Sequence, residues 1–193
     1  VNHALALLER SAALVPSLRA MEGADAVLVM GEDVTNTAPR IALALRQAVR
    51  NQAFTLADEL RLEHWQDAAI RNLAQDQRSP LHIAAVSATR LDDVASSTLQ
   101  LSPDDIAMLG YAVAAELRGE GHDASIDQAL IATARTIAGD LASAQRPLVV
   151  SGTGCGNAAV MSAAAAVAAA LNQPERPASL SFALAECNSL GVA

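Results

Sequence analysis

Short runs of apolar residues, each bounded by glycine, proline or polar residues, recur along the chain. Three of them predict buried strands: Ala26–Met30, Leu81–Val86, and Leu148–Val150 with the preceding Pro147. A fourth apolar run extends from Leu180 to Leu184. Continuous rather than alternating apolar residues are typical of strands covered on both faces, as in a parallel sheet.

Between these runs, apolar residues recur every three or four positions, which predicts amphipathic helices. The predicted helices cover residues 2–10, 16–22, about 39–51, about 56–75, a segment that begins at Ser102-Pro103, a segment that begins at the capping box Ser125 to Gln128, and an Ala-rich segment that ends at Leu171. Ser87 to Leu101 is predicted to be a polar loop. Helical segments between strands indicate an α/β fold, a three-layer Rossmann-like sandwich with a mostly parallel sheet and helices on both faces. We predict a single domain over residues 1–193.

The third strand continues into a glycine-rich turn, Ser151-Gly152-Thr153-Gly154-Cys155-Gly156-Asn157, and then into a helix. Nucleotide-binding α/β proteins use such a unit to hold a phosphate on backbone N–H groups. The turn therefore indicates either a nucleotide or pterin-dinucleotide phosphate site, or a tight connection that lets the helix pack close to the sheet. The dinucleotide fingerprint is G-x-G-x-x-G with an acid about 20 residues later at a strand end. Here the spacing is G-x-G-x-G and the first acid downstream, Glu175, follows Pro174, so we expect no cofactor.

The first strand is followed by two acids in the loop Gly31-Glu32-Asp33. The carboxyl ends of parallel strands are where α/β sheets bind ligands. A carboxylate about 5 Å from a phosphate charge costs about 3 kcal/mol at an effective dielectric near 20, so these acids oppose an anionic ligand. We expect both carboxylates to be solvated rather than to hold a metal. A vestigial ligand cleft, if retained, involves Gly31, Thr35, Asn36, Gly152, Thr153, Gly154 and Gly156.

The histidines and serines lie outside recognised catalytic motifs. We predict that His64 and His122 are surface residues and that His82 is hydrogen-bonded within a strand. The serines near strand ends have no G-x-S-x-G context, which disfavours a hydrolase; they are Ser87, Ser151 and Ser181. We predict no catalytic residue and no metal site.

Two further groups have alternative interpretations. Cys155 lies at a predicted helix start, where a dipole can lower a thiol pKa, but we favour a small buried residue in the glycine turn. Arg90 with Asp92 and Asp93 indicates either an ion pair that holds the loop or, as we prefer, solvated side chains.

Composition narrows the function classes. The formal charge of −8 disfavours nucleic acid as a partner, since phosphate backbones bind basic surfaces. No signal sequence is visible, and the longest near-continuous apolar run, Ala158 to Leu171, is too short to span a bilayer.

Cys155 and Cys187 alone cannot hold an iron–sulfur cluster, and we favour reduced thiols in a cytosolic setting over a disulfide. The chain begins at Val1 rather than Met, which suggests processing or, preferably, a piece of a longer polypeptide.

Several segments together resemble a known family, the large iron–sulfur subunit (the G subunit) of bacterial NADH-quinone oxidoreductase, or respiratory complex I. The matching segments follow one another along nearly the whole chain: Gly23–Pro39, Trp65–Asn72, Thr89–Asp93, Leu148–Gly156 and Cys187–Gly191.

The resemblance implies an internal piece of a molybdopterin-oxidoreductase-like body, joined in the parent chain to a ferredoxin-type region that holds iron–sulfur clusters. In relatives with a molybdenum cofactor, a strand–Gly–Asn-Pro loop corresponding to Gly31 onward helps hold a pterin guanine dinucleotide. Here the loop is Gly-Glu-Asp-Val, which agrees with a family member that keeps the fold without that cofactor. The cluster-binding cysteine motifs of the family are absent from this sequence, so no cluster is expected in this segment.

The resemblance further implies a scaffold segment in the peripheral arm, on the cytoplasmic side of the inner membrane, without direct membrane insertion. Its partners would be other complex I subunits, in an assembly that passes electrons from NADH to quinone. The sequence is also compatible with two alternatives. One is a domain of an oxidoreductase that binds molybdopterin guanine dinucleotide, and the other is a nicotinamide-dependent oxidoreductase.

Overall fold

The computed structural model describes residues 2–122 and 126–185, and within them five strands form one parallel sheet. The strands are β1 (Ala26–Met30), β2 (Leu81–Ala85), β3 (Ser97–Gln100), β4 (Pro147–Gly152) and β5 (Ser179–Ala183). Their order across the sheet is β3-β2-β1-β4-β5. This is the order of the first five strands of a Rossmann sheet. The strands β1 to β3 are added toward one edge of the sheet, and β4 and β5 are then added on the other side of β1.

Helices cover both faces of this sheet, so the predicted three-layer α/β sandwich is confirmed. In order along the chain they are α1 (Asn2–Ser11), α2 (Leu18–Glu22), α3 (Val34–Thr37), α4 (Pro39–Ala48), α5 (Asn51–Glu59), α6 (Asp67–Ala74), α7 (Pro103–Arg118), α8 (Gln128–Ser143) and α9 (Ala158–Leu171).

Strand β1 supplies side chains to two separate cores because successive residues of a strand point to opposite faces. Leu28 and Met30 pack among α1, α7, α8 and α9. Val27 and Val29 pack on the other face with residues of α2 and α4. All five residues of β1 are buried, as the continuous apolar run predicts.

Helix α7 begins and ends where the sequence predicts. The Ser102 hydroxyl accepts the backbone N–H of Asp105, with Pro103 as the first helical residue. Gly119 ends the helix at φ +69°, the left-handed conformation that glycine adopts without strain. In the middle of α7, a Cβ on Gly110 would lie 2.8 Å from the Ala163 Cβ of α9. Small residues therefore allow α7 and α9 to pack closely.

The single helix predicted over residues 56–75 is wrong. Helix α5 ends at Glu59, Arg61 adopts a left-handed conformation (φ +56°), and α6 does not begin until Asp67. Trp65, which the helical pattern would have made part of an apolar stripe, is 79% exposed in the intervening loop. Spacing alone misled because apolar residues in a loop can fall at helical intervals by chance.

The prediction of a polar loop over Ser87–Leu101 is wrong at its end, where Ser97–Gln100 forms β3. This edge strand has four residues of alternating burial, and three of them are polar. It carries no continuous apolar run because only one neighbour and part of one face cover it. Tertiary pairing with β2 therefore decided its conformation.

Smaller differences concern helix starts. Helix α2 begins at Leu18 with Ser17 as its cap, two residues after the predicted Pro16. Helix α8 is capped by Asp127, whose side chain accepts the Ala129 N–H. The predicted cap Ser125 and the segment Cys187–Gly191 lie outside the described residues.

Candidate functional site

The two loops predicted to border a ligand cleft do meet, at the carboxyl ends of β1 and β4. These strands are neighbours in parallel register, Met30 opposite Ser151. The strand order changes direction between β1 and β4, and this switch point is where open α/β sheets bind ligands. A groove of 170 Å³ lies there, between the loops that follow β1, β2 and β4. Of the residues predicted to border a cleft, Gly31 and Gly154 line this groove.

Glu32 occupies the centre of this region. The residue is only 2% exposed although it follows directly on β1 in a loop. One carboxylate oxygen accepts the backbone N–H of Gly154 at 2.7 Å, and the other accepts the Thr37 hydroxyl at 2.8 Å. The prediction that both acids of this loop are solvated is wrong for Glu32, because the glycine turn supplies it with space and a donor.

The glycines at the start of the turn make the space that Glu32 fills. A Cβ on Gly152 would lie 2.1 Å from the nearer carboxylate oxygen of Glu32, and one on Gly154 would lie 2.6 Å from the other oxygen. Real Cβ atoms do not approach other atoms so closely, so any side chain at either position must displace the carboxylate. Gly152 also faces the backbone oxygen of Ala183 at 2.5 Å from that Cβ position.

Gly31 brings the two loops together by a different route. It has φ +67°, and a Cβ on it would lie 2.7 Å from Val160 of α9 and 2.8 Å from the Cys155 sulfur. Its N–H donates to the Ala84 carbonyl of β2. Cys155 is half-buried against it, so the prediction of a small buried residue in the turn is met only in part.

The remaining residues of the turn serve the start of α9. Gly156 adopts φ +67° and donates its N–H to the Thr153 carbonyl. Asn157 caps α9 by accepting the Ala159 N–H, and its amide also donates to Asp104 of α7 at 2.8 Å. Asn157 thus connects the turn to both α9 and α7.

Asp33 has a separate role from its neighbour Glu32. Its carboxylate accepts the N–H of Thr35 at 3.0 Å and the side-chain amide of Asn36. It is therefore the cap of the short helix α3. Thr35 and Asn36, predicted as part of the cleft, lie in α3 and are hydrogen-bonded to Asp33.

The sequence singled out Glu32 but revealed neither its burial nor its partner Thr37. An acid after a strand is ordinary, and Thr37 lies five positions further on with no motif to connect them. The available signal was indirect. A glycine turn whose N–H groups can bind an anion lies opposite a loop that contains two carboxylates, so one of these carboxylates can itself be the bound group.

Chemically, the site is a glycine turn that holds a carboxyl group of its own chain. The turn supplies an N–H where a phosphate-binding protein would place the ligand, and the Glu32 carboxylate takes that N–H. The groove that remains is smaller than the approximately 300–1,000 Å³ of most small-molecule pockets.

Two larger cavities, of 310 and 370 Å³, lie at the opposite edge of the sheet, around the amino ends of the strands. Polar groups there are used to join loops. Asp25 accepts the backbone N–H groups of Gln145 and Arg146, at 2.9 and 2.7 Å. Asn51 donates to the carbonyls that precede β1, those of Glu22 and Ala24. These contacts hold the amino ends of β1 and β4 in place.

His82 is hydrogen-bonded inside the molecule, as predicted. It lies in β2 with its side chain 3% exposed. Its Nδ1 is 2.7 Å from the Ser97 hydroxyl of β3, and its Nε2 is 2.8 Å from an Asp140 oxygen of α8. Burial lowers the pKa of His82, and the Asp140 carboxylate opposes that change. The row of three side chains connects two strands and a helix.

The other two predicted histidines differ from each other. His64 is a surface residue, 53% exposed and stacked on Phe54. The surface prediction is wrong for His122, whose side chain is only 13% exposed and pairs with Glu116 at 2.7 Å. Hydrogen bonds from His122 and from Arg135 lower the pKa of Glu116.

The loop after β2 is held by a residue that the sequence did not single out. Arg46 of α4 binds both oxygens of Asp93, at 2.8 and 3.0 Å, and lowers the pKa of that carboxyl. Asp92 accepts the Thr89 hydroxyl instead. The described contacts therefore assign the ion pair of this loop to Arg46 rather than to Arg90.

Ser151, one of the three serines near strand ends, is fully buried and donates its hydroxyl to the Met30 carbonyl at 2.9 Å. It thus joins β4 to β1.

Within residues 2–122 and 126–185, no group of three or more His, Cys, Asp or Glu side chains is placed to hold a metal. In the same residues, no helix is long and apolar enough to cross a membrane.

Comparison with curated proteins finds the G subunit of NADH-quinone oxidoreductase from several bacteria. The chain is 44% identical over 190 residues to the protein from Pseudomonas fluorescens, a match that covers 98% of this chain and 21% of that protein. It is 42% identical over 192 residues to the Shewanella oneidensis protein and 40% identical over 190 residues to that of Escherichia coli K12, with the same coverage. No known family profile matches the chain.

These matches confirm the resemblance to the G subunit over nearly the whole chain. The chain spans about a fifth of the length of the curated relatives it matches.

Proposed function

We propose that the chain is a segment of the G subunit of a bacterial NADH-quinone oxidoreductase, and that it contributes scaffold and subunit contacts rather than chemistry. The observation that carries the first part is the identity of 40–44% over nearly the whole chain to proteins of that name. In this proposal, residues 1–193 form a single α/β domain of the molybdopterin-oxidoreductase-like body.

The second part of the proposal is that this segment binds no dinucleotide and no metal. Its main support is the position of Glu32, whose carboxylate lies on the Gly154 N–H at the edge where a phosphate would bind. A ligand pyrophosphate at the same place would meet a buried negative charge. The vestigial cleft, Gly31, Thr35, Asn36, Gly152, Thr153, Gly154 and Gly156, is on this view a structural junction.

In this proposal, the oxidoreductase activity belongs to the parent assembly and not to this segment. We propose that it transfers electrons from NADH to quinone through iron–sulfur clusters held elsewhere in the parent chain. This segment then lies in the peripheral arm, on the cytoplasmic side of the inner membrane. Its partners are other subunits of the complex, and neither nucleic acid nor the lipid bilayer is a partner.

Ligand binding tests the cofactor-free part. The wild-type chain is titrated with guanosine diphosphate and with NADH, and binding is followed by calorimetry and by the melting temperature. We expect no saturable heat and no shift in either titration. Micromolar binding of the guanine nucleotide would favour a molybdopterin-guanine-dinucleotide domain, and micromolar binding of NADH a nicotinamide-dependent enzyme.

Assembly tests the assignment to the complex. The complete gene that encodes this segment is tagged at its chromosomal locus, and membranes are solubilised and purified through the tag. We expect a multi-subunit complex with NADH-quinone oxidoreductase activity and iron–sulfur signals in its electron paramagnetic resonance spectrum. Recovery of the tagged chain alone, with the activity in the unbound fraction, would contradict the assignment.

A further inference from the structure

We infer that Glu32 is a tethered anion that closes the glycine turn to outside ligands, and that its removal exposes a binding site for a small carboxylate. The inference deepens the proposed function and rests on its statement that no dinucleotide binds here. It concerns the reason for that absence, namely that the chain carries its own occupant.

The Glu32 carboxylate is paired on both of its oxygens. The Gly154 N–H donates to one at 2.7 Å, and the Thr37 hydroxyl donates to the other at 2.8 Å. Gly154 belongs to the glycine turn after β4, and Thr37 is the last residue of α3, which follows β1. A carboxylate held by one donor from each of these two connections has the hydrogen bonds that a bound ligand anion would make.

The space around the carboxylate fits it closely. The positions that side chains on Gly152 and Gly154 would occupy lie 2.1–2.9 Å from atoms of the Glu32 carboxylate. The turn is therefore moulded around this group, and the residue keeps only 2% of its exposure to solvent. Shortening Glu32 to alanine empties a space bordered by two glycines and leaves both donors directed into it.

Acetate matches the group that this truncation removes. Changing glutamate to alanine deletes a methylene and a carboxylate, which together correspond to acetate. Acetate can therefore restore the missing atoms, with the same charge and the same two acceptors. Acetamide has the same shape without the charge and serves as the matched control compound.

The experiment compares the wild-type chain, Glu32→Ala and Glu32→Gln in acetate, in acetamide, and in sodium chloride at equal ionic strength. Glutamine keeps the space filled, so it is the matched control variant. We expect acetate to raise the melting temperature of Glu32→Ala in a saturable manner, with half-saturation in the millimolar range. We expect acetamide to have a much smaller effect, and neither compound to affect the other two proteins beyond the sodium chloride control.

A second readout locates the effect. In ¹H–¹⁵N spectra, acetate should shift the Gly154 amide of Glu32→Ala toward its position in the wild-type chain. If Glu32→Ala does not fold in plain buffer, acetate should restore its folded spectrum, whereas Glu32→Gln folds without it.

Three results would overturn the inference. One is a Glu32→Ala protein that does not respond to acetate, and another is a wild-type protein that responds equally. The third is an acetate effect that leaves the Gly154 amide unchanged. The proposed function fails separately, through nucleotide binding to the wild-type chain, so the two failures are distinguishable.

Discussion

Glu32 and His82 are both buried polar residues, one directly after β1 and the other within β2, and they differ in what surrounds them. Glu32 lies at the carboxyl edge, directly after β1, and its partners are the backbone N–H of Gly154 in the glycine turn and the Thr37 hydroxyl of α3. His82 lies within β2, and its partners are side chains of a neighbouring strand and of a helix. Both side chains have two hydrogen-bond partners, and both are almost completely removed from solvent.

The difference between the two positions lies in the kind of site each occupies. A buried group within a strand can only join elements of the fold, and His82 joins β2, β3 and α8. A buried group at the switch point of an α/β sheet lies where a ligand would bind. Burial is therefore ambiguous by itself, and the position of the residue in the topology decides which interpretation applies.

The largest expected effect is that of Gly152→Ala. The new Cβ would lie 2.1 Å from a Glu32 oxygen and 2.5 Å from the backbone oxygen of Ala183. Because a backbone atom on β5 cannot move aside as a side chain can, we expect a loss of about 3 kcal/mol in the free energy of unfolding. Urea denaturation measures it. Since the Ala183 contact remains, adding Glu32→Ala should relieve only part of the loss, and full relief would show that Glu32 alone shapes the turn.

Gly154→Ala is expected to cost less, about 2 kcal/mol, and its cost should depend on Glu32. All three atoms nearest to the new Cβ belong to the Glu32 carboxyl group, at 2.6–2.9 Å. In a double-mutant cycle by urea denaturation, Gly154→Ala should therefore be nearly neutral in the Glu32→Ala background. Equal costs in both backgrounds would mean that the clash is absorbed elsewhere.

The role of His82 is tested through the pH dependence of the free energy of unfolding. Burial lowers the pKa of His82 below the ordinary value of 6.5, so as the pH falls the unfolded chain takes up this proton before the folded chain does. The stability that neutral His82 contributes is fully present above pH 6.5. It is lost progressively as the pH falls from 6.5 to the lower folded-state pKa, with a slope of at most about 1.4 kcal/mol per pH unit.

His82→Gln should remove this part of the pH dependence when the free energy of unfolding is measured by urea denaturation between pH 7.5 and 5. The exposed His64→Gln is the control and should retain it. Asp140→Asn should extend the pH window downward, because the Asp140 carboxylate raises the pKa of His82. An unchanged pH profile in His82→Gln would contradict the assignment of this slope to the buried histidine.

The smallest effect is expected at a surface ion pair, which serves as the reference for the two buried groups. Asp93→Asn removes the bidentate contact between Arg46 and Asp93, whose side chains are 36% and 62% exposed. Exposed ion pairs contribute little and are screened by salt. We expect a decrease in melting temperature smaller than that of any substitution above, and its disappearance at high salt. A decrease that persists in salt would point to the loop rather than the charges.

Much of the architecture follows from local patterns in the sequence. Continuous apolar runs predict β1, β2 and β4 because a strand covered on both faces has few polar positions, here His82 in β2 and Ser151 in β4. Helix α7 is predicted at both ends because Ser102 and Gly119 satisfy backbone groups that every helix leaves unpaired. The two wrong predictions concern segments in which the local pattern is missing or misleading. The four residues of β3 lack a pattern of their own, and the loop around Trp65 imitates helical spacing.

The layered α/β fold, the glycine turn at a strand end and the likeness to the G subunit of NADH-quinone oxidoreductase can all be inferred from the sequence. Those features depend on periodicity, on glycines and on the order of residues, all of which are visible along the chain. The pairing of β1 with β4 and the contact of the Glu32 carboxyl with the turn become visible only in the folded molecule. The two loops are far apart in the sequence, and whether a carboxylate faces solvent or a backbone N–H depends on contacts across that distance.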